Sequence, residues 1–240
     1  MNWSTPLKQT SLQRNQIHVW KATLDVSENK HHVFWSYLSD DEKQRANTFY
    51  FKKDRDYFIT ARGILRELIG QYLNKKAIDI EFGYHTHGKP FMRNDAELEF
   101  NISHSKNMAL YGFVKKDEIG VDIEFVDQKI EAMQIARHFF SSYEITALGD
   151  LPQQHKASGF FNCWTRKEAF IKALGTGLSF PLDQFAVSLA PEKKATLVHT
   201  MWDTDEAQKW NLFHVNPQSY FTGAVAIKGK VNEIRHFKYN

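Results

Sequence analysis

Apolar and polar positions alternate along the chain in short blocks, and helical periodicity separates them. The segment QIHVWKATL (16–24) reads as a strand whose buried set is Ile17 and Val19 with either Ala22 or Leu24. Ser39 followed by Glu42 forms a capping box and marks a helix start in LSDDEKQRANTF. Over roughly 53–73, Tyr57, Ala61, Ile64, Leu65, Leu68 and Tyr72 recur at helical spacing, and Arg55, Ile59, Arg62 and Arg66 line a second, mostly basic stripe. IDIEFGYHTHGKPFM is a strand running into a Gly-Lys-Pro turn, and LEFNISHSKNMALYGFV reads as two strands around a polar corner at 103–107. The second half opens on the strand EIGVDIEF (118–125), then predicts a helix over 130–140 and a second Ser-x-x-Glu box at Ser141 and Glu144. A strong helix over 160–174 ends at Gly175, and the segments DQFAVSLA, WNLFHVN and YFTGAVAIKGKV read as strands.

These elements repeat faintly: each half has a Ser-x-x-Glu cap, then an amphipathic helix, then strands. Such a repeat predicts two halves related by approximate twofold symmetry, with a boundary between 1–116 and 117–240 and a ligand cleft between them. The chain of 240 residues, 42% hydrophobic and 14% aromatic, is long enough to bury a substantial core. Its single cysteine, Cys163, excludes an internal disulfide, and the first thirty residues lack the apolar core of a signal peptide, so the expected compartment is cytoplasmic. No apolar run approaches the roughly 20 residues that span a bilayer, so no membrane role is expected. A net charge of +3 is far from that of a dedicated nucleic-acid binder, and it suits an anionic substrate or an acidic partner.

Candidate chemistry starts with Asp122 and Glu124, two acids on one side of a strand whose other side is Val121, Ile123 and Phe125. Two close carboxylates repel unless a proton or cation intervenes, and a hard cation such as Mg²⁺ needs only one or two of them plus substrate phosphates. A strand with one solvated face explains the same spacing. Glu168 and Lys172 lie together at the edge of the apolar arc on the second long helix; they suit cleft chemistry or an ordinary i,i+4 surface pair. Asn101, Ser103, His104 and Lys106 place phosphate-binding groups in one short stretch, which local side-chain to backbone bonds would also explain. Gly88 and Lys89 offer close backbone approach and a positive charge in a turn. His85 and His87 have no partners to complete a zinc site, no phosphate-binding glycine loop is present, and Cys163 sits among packing residues.

In order along the chain, EKQRANTFYF, HGKPFM, FNISHS, IGVDIE and FFNCWTRKEAFIKALGTGLSFPL resemble the 4′-phosphopantetheinyl transferases of the surfactin-synthetase-activating type, over roughly residues 35–190. The resemblance implies two similar α+β halves with coenzyme A between them. It implies an enzyme that moves the phosphopantetheine arm of coenzyme A to a serine of an acyl, peptidyl or polyketide carrier protein, releasing adenosine 3′,5′-bisphosphate. By the same resemblance Asp122, Glu168 and, as a further ligand, Glu124 hold Mg²⁺. Ser103, His104 and Lys172 meet the cofactor phosphates, and Arg45, Gly88, Lys89 and Pro90 meet its adenosine end. Glu168 and Lys172 are the implied catalytic pair. A chain carrying both halves of the site is expected to work as a monomer, with a basic and partly apolar rim over 130–165 for the carrier. The rival readings fit less well. A chitinase-like barrel needs a βα alternation that is absent, a Mg²⁺-dependent nuclease needs an acid-x-Lys strand, and a binding module would tolerate loss of Asp122.

Overall fold

The computed structural model describes residues 2–6 and 11–240. Strand β1 (Gln16–Thr23) runs parallel to β11 (Glu233–Lys238) and antiparallel to β5 (Met108–Lys115), which pairs in turn with β4 (Leu98–Ser105). A second sheet places β6 (Ile119–Phe125), β10 (Phe221–Lys228) and β9 (Trp210–Val215) side by side, antiparallel throughout. Two small hairpins, β2 (Phe82–Tyr84) with β3 (Pro90–Met92) and β7 (Phe185–Val187) with β8 (Leu197–Thr200), complete the β structure among the described residues. Residues 233–238, far along the chain, are thus built into the sheet that β1 begins.

Helices α1 (Glu28–Tyr37), α2 (Asp40–Asn47) and α3 (Lys52–Leu73) belong to the first half, and α4 (Ala132–Phe139), α5 (Ser142–Gly149) and α6 (Gln153–Leu174) to the second. The fold is α+β, and the repeat seen in the sequence has a physical counterpart. In the first half, Glu42 of the α2 capping box lies 2.6 Å from the guanidinium of Arg66 on α3, which also donates to the carbonyls of Ala77 and Ile80. In the second, Glu144 of the α5 capping box lies 2.8 Å from the ammonium of Lys167 on α6, which donates to the carbonyls of Leu182 and Phe185. Both pairs are fully buried, so each cation is compensated by one acid and two carbonyls in a place where an unpaired charge could not survive.

Each half has its own core. Trp20, Phe34, Leu65 and Phe113 pack in the first, and Phe140, Phe160, Phe170 and Phe185 in the second. A third layer, including Ile17, Val19, Leu110, Val121, Ile123 and Val225, glues the two sheets together. The strand alternation of β6 is used for this: Ile119, Val121 and Ile123 enter the layer between sheets and Asp122 turns to the other side.

Several expectations shift. Helix α1 carries no helical stripe, because only Phe34 is buried, and its signal is the Ser27 hydroxyl accepting from the Lys30 amide. DQFAVSLA shrinks to the short β7, and β8 and β11 add strands where the sequence pattern predicts none. The polar corner at 103–107 is strand up to Ser105, and the turn is only Lys106 and Asn107, with Lys106 at φ 52°. No helix among the described residues is long and apolar enough to cross a membrane.

Candidate active site

β4 and β6 are edge strands of their own sheets, and side chains replace the missing backbone ladder between them. Alternate residues of a strand share a face, so Asn101, Ser103 and Ser105 all reach toward β6. The Asn101 side-chain oxygen accepts from the Val121 amide at 2.9 Å, and Ser105 Oγ accepts from the Phe125 amide at 3.1 Å. Ser103 Oγ donates to Asp122 at 2.8 Å and Ser105 Oγ donates to Glu124 at 2.8 Å. The polar stretch is therefore the seam of the molecule.

Helix α6 lies directly on β6 because Gly120 has no side chain: a Cβ there would overlap the carbonyl oxygen of Ala169 and the amide nitrogen of Ala173. This contact brings Glu168 and Lys172, one turn apart, over the acidic strand. Lys172 Nζ lies 2.6 Å from Asp122 Oδ1 and donates to Ser103 Oγ at 3.0 Å. The other oxygen of Asp122, Oδ2, and Glu168 Oε1 are buried with no hydrogen-bond partner among the described residues. Glu168 is pushed up to about 7 by burial and then by the charges of Asp122 and Glu124, less an opposing pull from Lys172. Burial and then Asp122 push Glu124 up to about 7 as well. Burial and then Lys172 lower the pKa of His104, whose ring opens into the cleft between the halves.

That cleft, about 370 Å³, has Arg45, Phe58, Arg62, Gly88, Lys89, Pro90, Asn101 and His104 on one wall and Glu168, Ile171, Lys172, Gly175 and Gly177 on the other. Ser103 and Asp122 stand behind Lys172, and Glu124 lies two strand positions beyond Asp122, beside Ser105. The structure thus gathers Arg45, Gly88, Lys89, Pro90, His104, Glu168 and Lys172 in one place. The ammonium of Lys89 does not hang free in it, since it donates to the carbonyls of Ile119 at 3.0 Å and Ala173 at 3.3 Å. Arg62 is the residue that motif reading left unassigned. It is buried, its Nη1 has no hydrogen-bond partner among the described residues, and the basic stripe of α3 is its signal in the sequence. A larger, open groove of about 1040 Å³ between α1, α3 and the β4–β5 turn holds interleaved acids and bases, and in it Tyr57 donates to Asp25 at 2.8 Å.

A cation's fit follows from the donors. Among the described residues no three His, Cys, Asp or Glu side chains converge closely enough to cage a metal. The acids form an open arc instead, with unpaired oxygens on Asp122 and Glu168 and mutual repulsion that an added positive charge would relieve. An open carboxylate arc suits Mg²⁺, which keeps several waters and takes oxygens from substrate phosphates.

Residues 118–226 match the 4′-phosphopantetheinyl transferase superfamily, and residues 20–112 match the 4′-phosphopantetheinyl transferase N-terminal family. The chain is 34% identical to 4′-phosphopantetheinyl transferase HetI of Nostoc sp., over 95% of this chain and 94% of the relative. It is 31% identical to 4′-phosphopantetheinyl transferase Sfp of Bacillus subtilis, over 72% of this chain and 75% of that one.

Proposed function

The chain belongs to the 4′-phosphopantetheinyl transferase superfamily, and we infer from the cleft how it moves the phosphopantetheine arm of coenzyme A onto a carrier-protein serine. The observation that carries the reading is the Ser103–Asp122–Lys172 cluster beside bare carboxylate oxygens at the junction of the halves. Arg45, Arg62, Gly88 and Pro90 line the end of the cleft that suits the adenosine and its 3′-phosphate. Ser103, His104 and Lys172 offer a hydroxyl, an imidazole and an ammonium to the diphosphate.

Asp122 and Glu168, with Glu124 farther out, would hold Mg²⁺, which supplies charge neutralisation on the diphosphate oxygens. Glu168 is placed to accept the proton of the carrier serine, whose oxygen attacks the phosphorus attached to pantetheine. A new P–O bond to serine forms, and the bond to the other phosphate breaks. Lys172 stabilises the departing adenosine 3′,5′-bisphosphate. The carrier serine attacks directly, so no covalent form of this chain lies on the path.

Phe139 and Tyr143 are exposed near Arg137 and His138, and they provide a partly apolar, basic rim for the carrier. Both walls of the cleft come from one chain, which supports a monomeric enzyme, and the lone buried cysteine suits the cytoplasm.

The test is to incubate the protein with coenzyme A, Mg²⁺ and an unmodified carrier, and to weigh the carrier. Gain of one phosphopantetheine, lost on chelation and restored by Mg²⁺, is expected. No gain across fatty-acid, polyketide and peptide carriers would sink the reading, and a transfer indifferent to chelation would sink the metal assignment.

A further inference from the structure

Lys89 belongs to the turn between β2 and β3, yet its ammonium reaches into the other half of the molecule. Both of its hydrogen bonds end on backbone carbonyls there, of Ile119 and Ala173, and no carboxylate among the described residues lies within ion-pairing distance of it. Ile119 opens β6 three residues before Asp122, and Ala173 follows Lys172 in the last turn of α6. The two acceptors meet where Gly120 lets the backbones of β6 and α6 touch. Ala173 is among the last four carbonyls of a helix, which have no intrahelical donor, and a cation at a helix C-terminus is favoured by the helix dipole.

The cleft wall formed by Gly88, Lys89 and Pro90 faces the wall formed by Lys172, Gly175 and Gly177. Two of the three Lys89 donors are spent on these carbonyls, so moving the ammonium onto a phosphate would leave both without their present donor. We propose that Lys89 is a positioning residue, whose ammonium staples the β2–β3 turn to β6 and to the end of α6. It thereby sets the spacing between the adenosine wall and Lys172, instead of neutralising a phosphate of the cofactor. The inference rests on the cleft being the coenzyme A site.

The test compares Lys89→Met and Lys89→Arg with the unsubstituted protein, using coenzyme A and 3′-dephospho-coenzyme A, alongside hydrogen exchange of the ligand-free proteins. In Lys89→Met the KM should rise by the same factor for both cofactors, about tenfold, because a shifted cleft wall passes on to binding only part of what the two lost charge-assisted hydrogen bonds carry. Exchange over residues 170–177 should quicken. Lys89→Arg, which can still donate to both carbonyls, should keep the slow exchange and most of the affinity. A loss confined to the cofactor that bears the 3′-phosphate makes Lys89 a direct ligand and overturns the proposal. Unchanged exchange at 170–177 in Lys89→Met overturns it as well, and if that variant fails to fold, unprotected exchange in a folded Lys89→Arg does the same. Should the unsubstituted protein transfer nothing, the function reading fails, and the exchange comparison still decides the staple.

Discussion

Among the described residues one oxygen of Asp122 is held by both Ser103 and Lys172 and the other has no hydrogen-bond partner; Glu42 Oε1 lacks one too, so what sets Asp122 apart is the neighbouring acids Glu168 and Glu124. Glu42 and Glu144, equally buried, face the cations of their own halves. Glu168→Gln should therefore lower kcat by about 10²–10⁴-fold, the range for a lost general base. Because burial and neighbouring acids disfavour the Glu168 ion, the same change should leave Tm equal or higher at neutral pH. A carrier-mass assay and a melting curve check both, and a fall in Tm would assign Glu168 to structure. His18 gives a second prediction, remote from the cleft. Burial, then Arg235, pushes its pKa down to about 4, and it bonds Tyr72 at 2.8 Å. The unfolded chain takes up that proton below about pH 6.5 and the folded chain does not, so stability is full above 6.5 and falls as pH drops toward 4. The slope is about 1.4 kcal/mol per pH unit, or about 3 kcal/mol in all. Urea titrations across that window should show the slope flattened in His18→Gln, and an unaltered slope would assign it to other groups. The acids, Ser103 and Lys172 were legible as residue types at suggestive spacings. Their pairing was not, because Ser103, Asp122 and Lys172 are far apart in sequence.

At the level of elements, α3 declared itself through its stripes and begins and ends within a residue of its sequence reading, while α6 begins at Gln153, well before the 160 that its stripe predicts. Helix α1 stayed hidden because a helix that buries one side chain has almost no periodicity to show. β4 was half-read: its Asn101, Ser103 and Ser105 alternate as a strand face should, but their destination is a second sheet. The fit of α6 on β6 depends on Gly120. Gly120→Ala should cost about 1–3 kcal/mol by overpacking and should damage transfer disproportionately, since it pries Glu168 and Lys172 from Asp122. Comparing Tm with kcat checks this, and a variant that melts early yet turns over normally would show that α6 tolerates the shift. The repeated acid–cation pairs predict a matched effect. Glu42→Ala and Glu144→Ala should each cost about 3–5 kcal/mol, because each strands a buried cation. Denaturant titration measures the costs, and a near-neutral result for either would remove that pair from the structural repeat.

Across the whole molecule, the cleft exists because two similar halves are pressed together by an apolar layer between sheets and by polar side chains along one seam. The last strand completes the first sheet, and Phe237 on it packs against His18 and Trp20. Removing residues 232–240 should therefore destabilise the first half more than the second. Hydrogen exchange resolved by segment should report faster opening of β1 and β5 than of β10, and equal opening of the two sheets would refute that order.

The sequence by itself determined the secondary elements with strong periodicity, the two capping boxes and the ordered motifs that mark the family, because these are written in local spacing and residue type. Only the tertiary structure decided which polar residues meet. It turned a supposed corner into a seam between edge strands, it sent β11 back to β1, and it drew the Lys89 ammonium away from the cleft to two carbonyls of the opposite half. Each of these depends on contacts between residues distant in the chain, and hydrophobic pattern carries no information about partners of that kind.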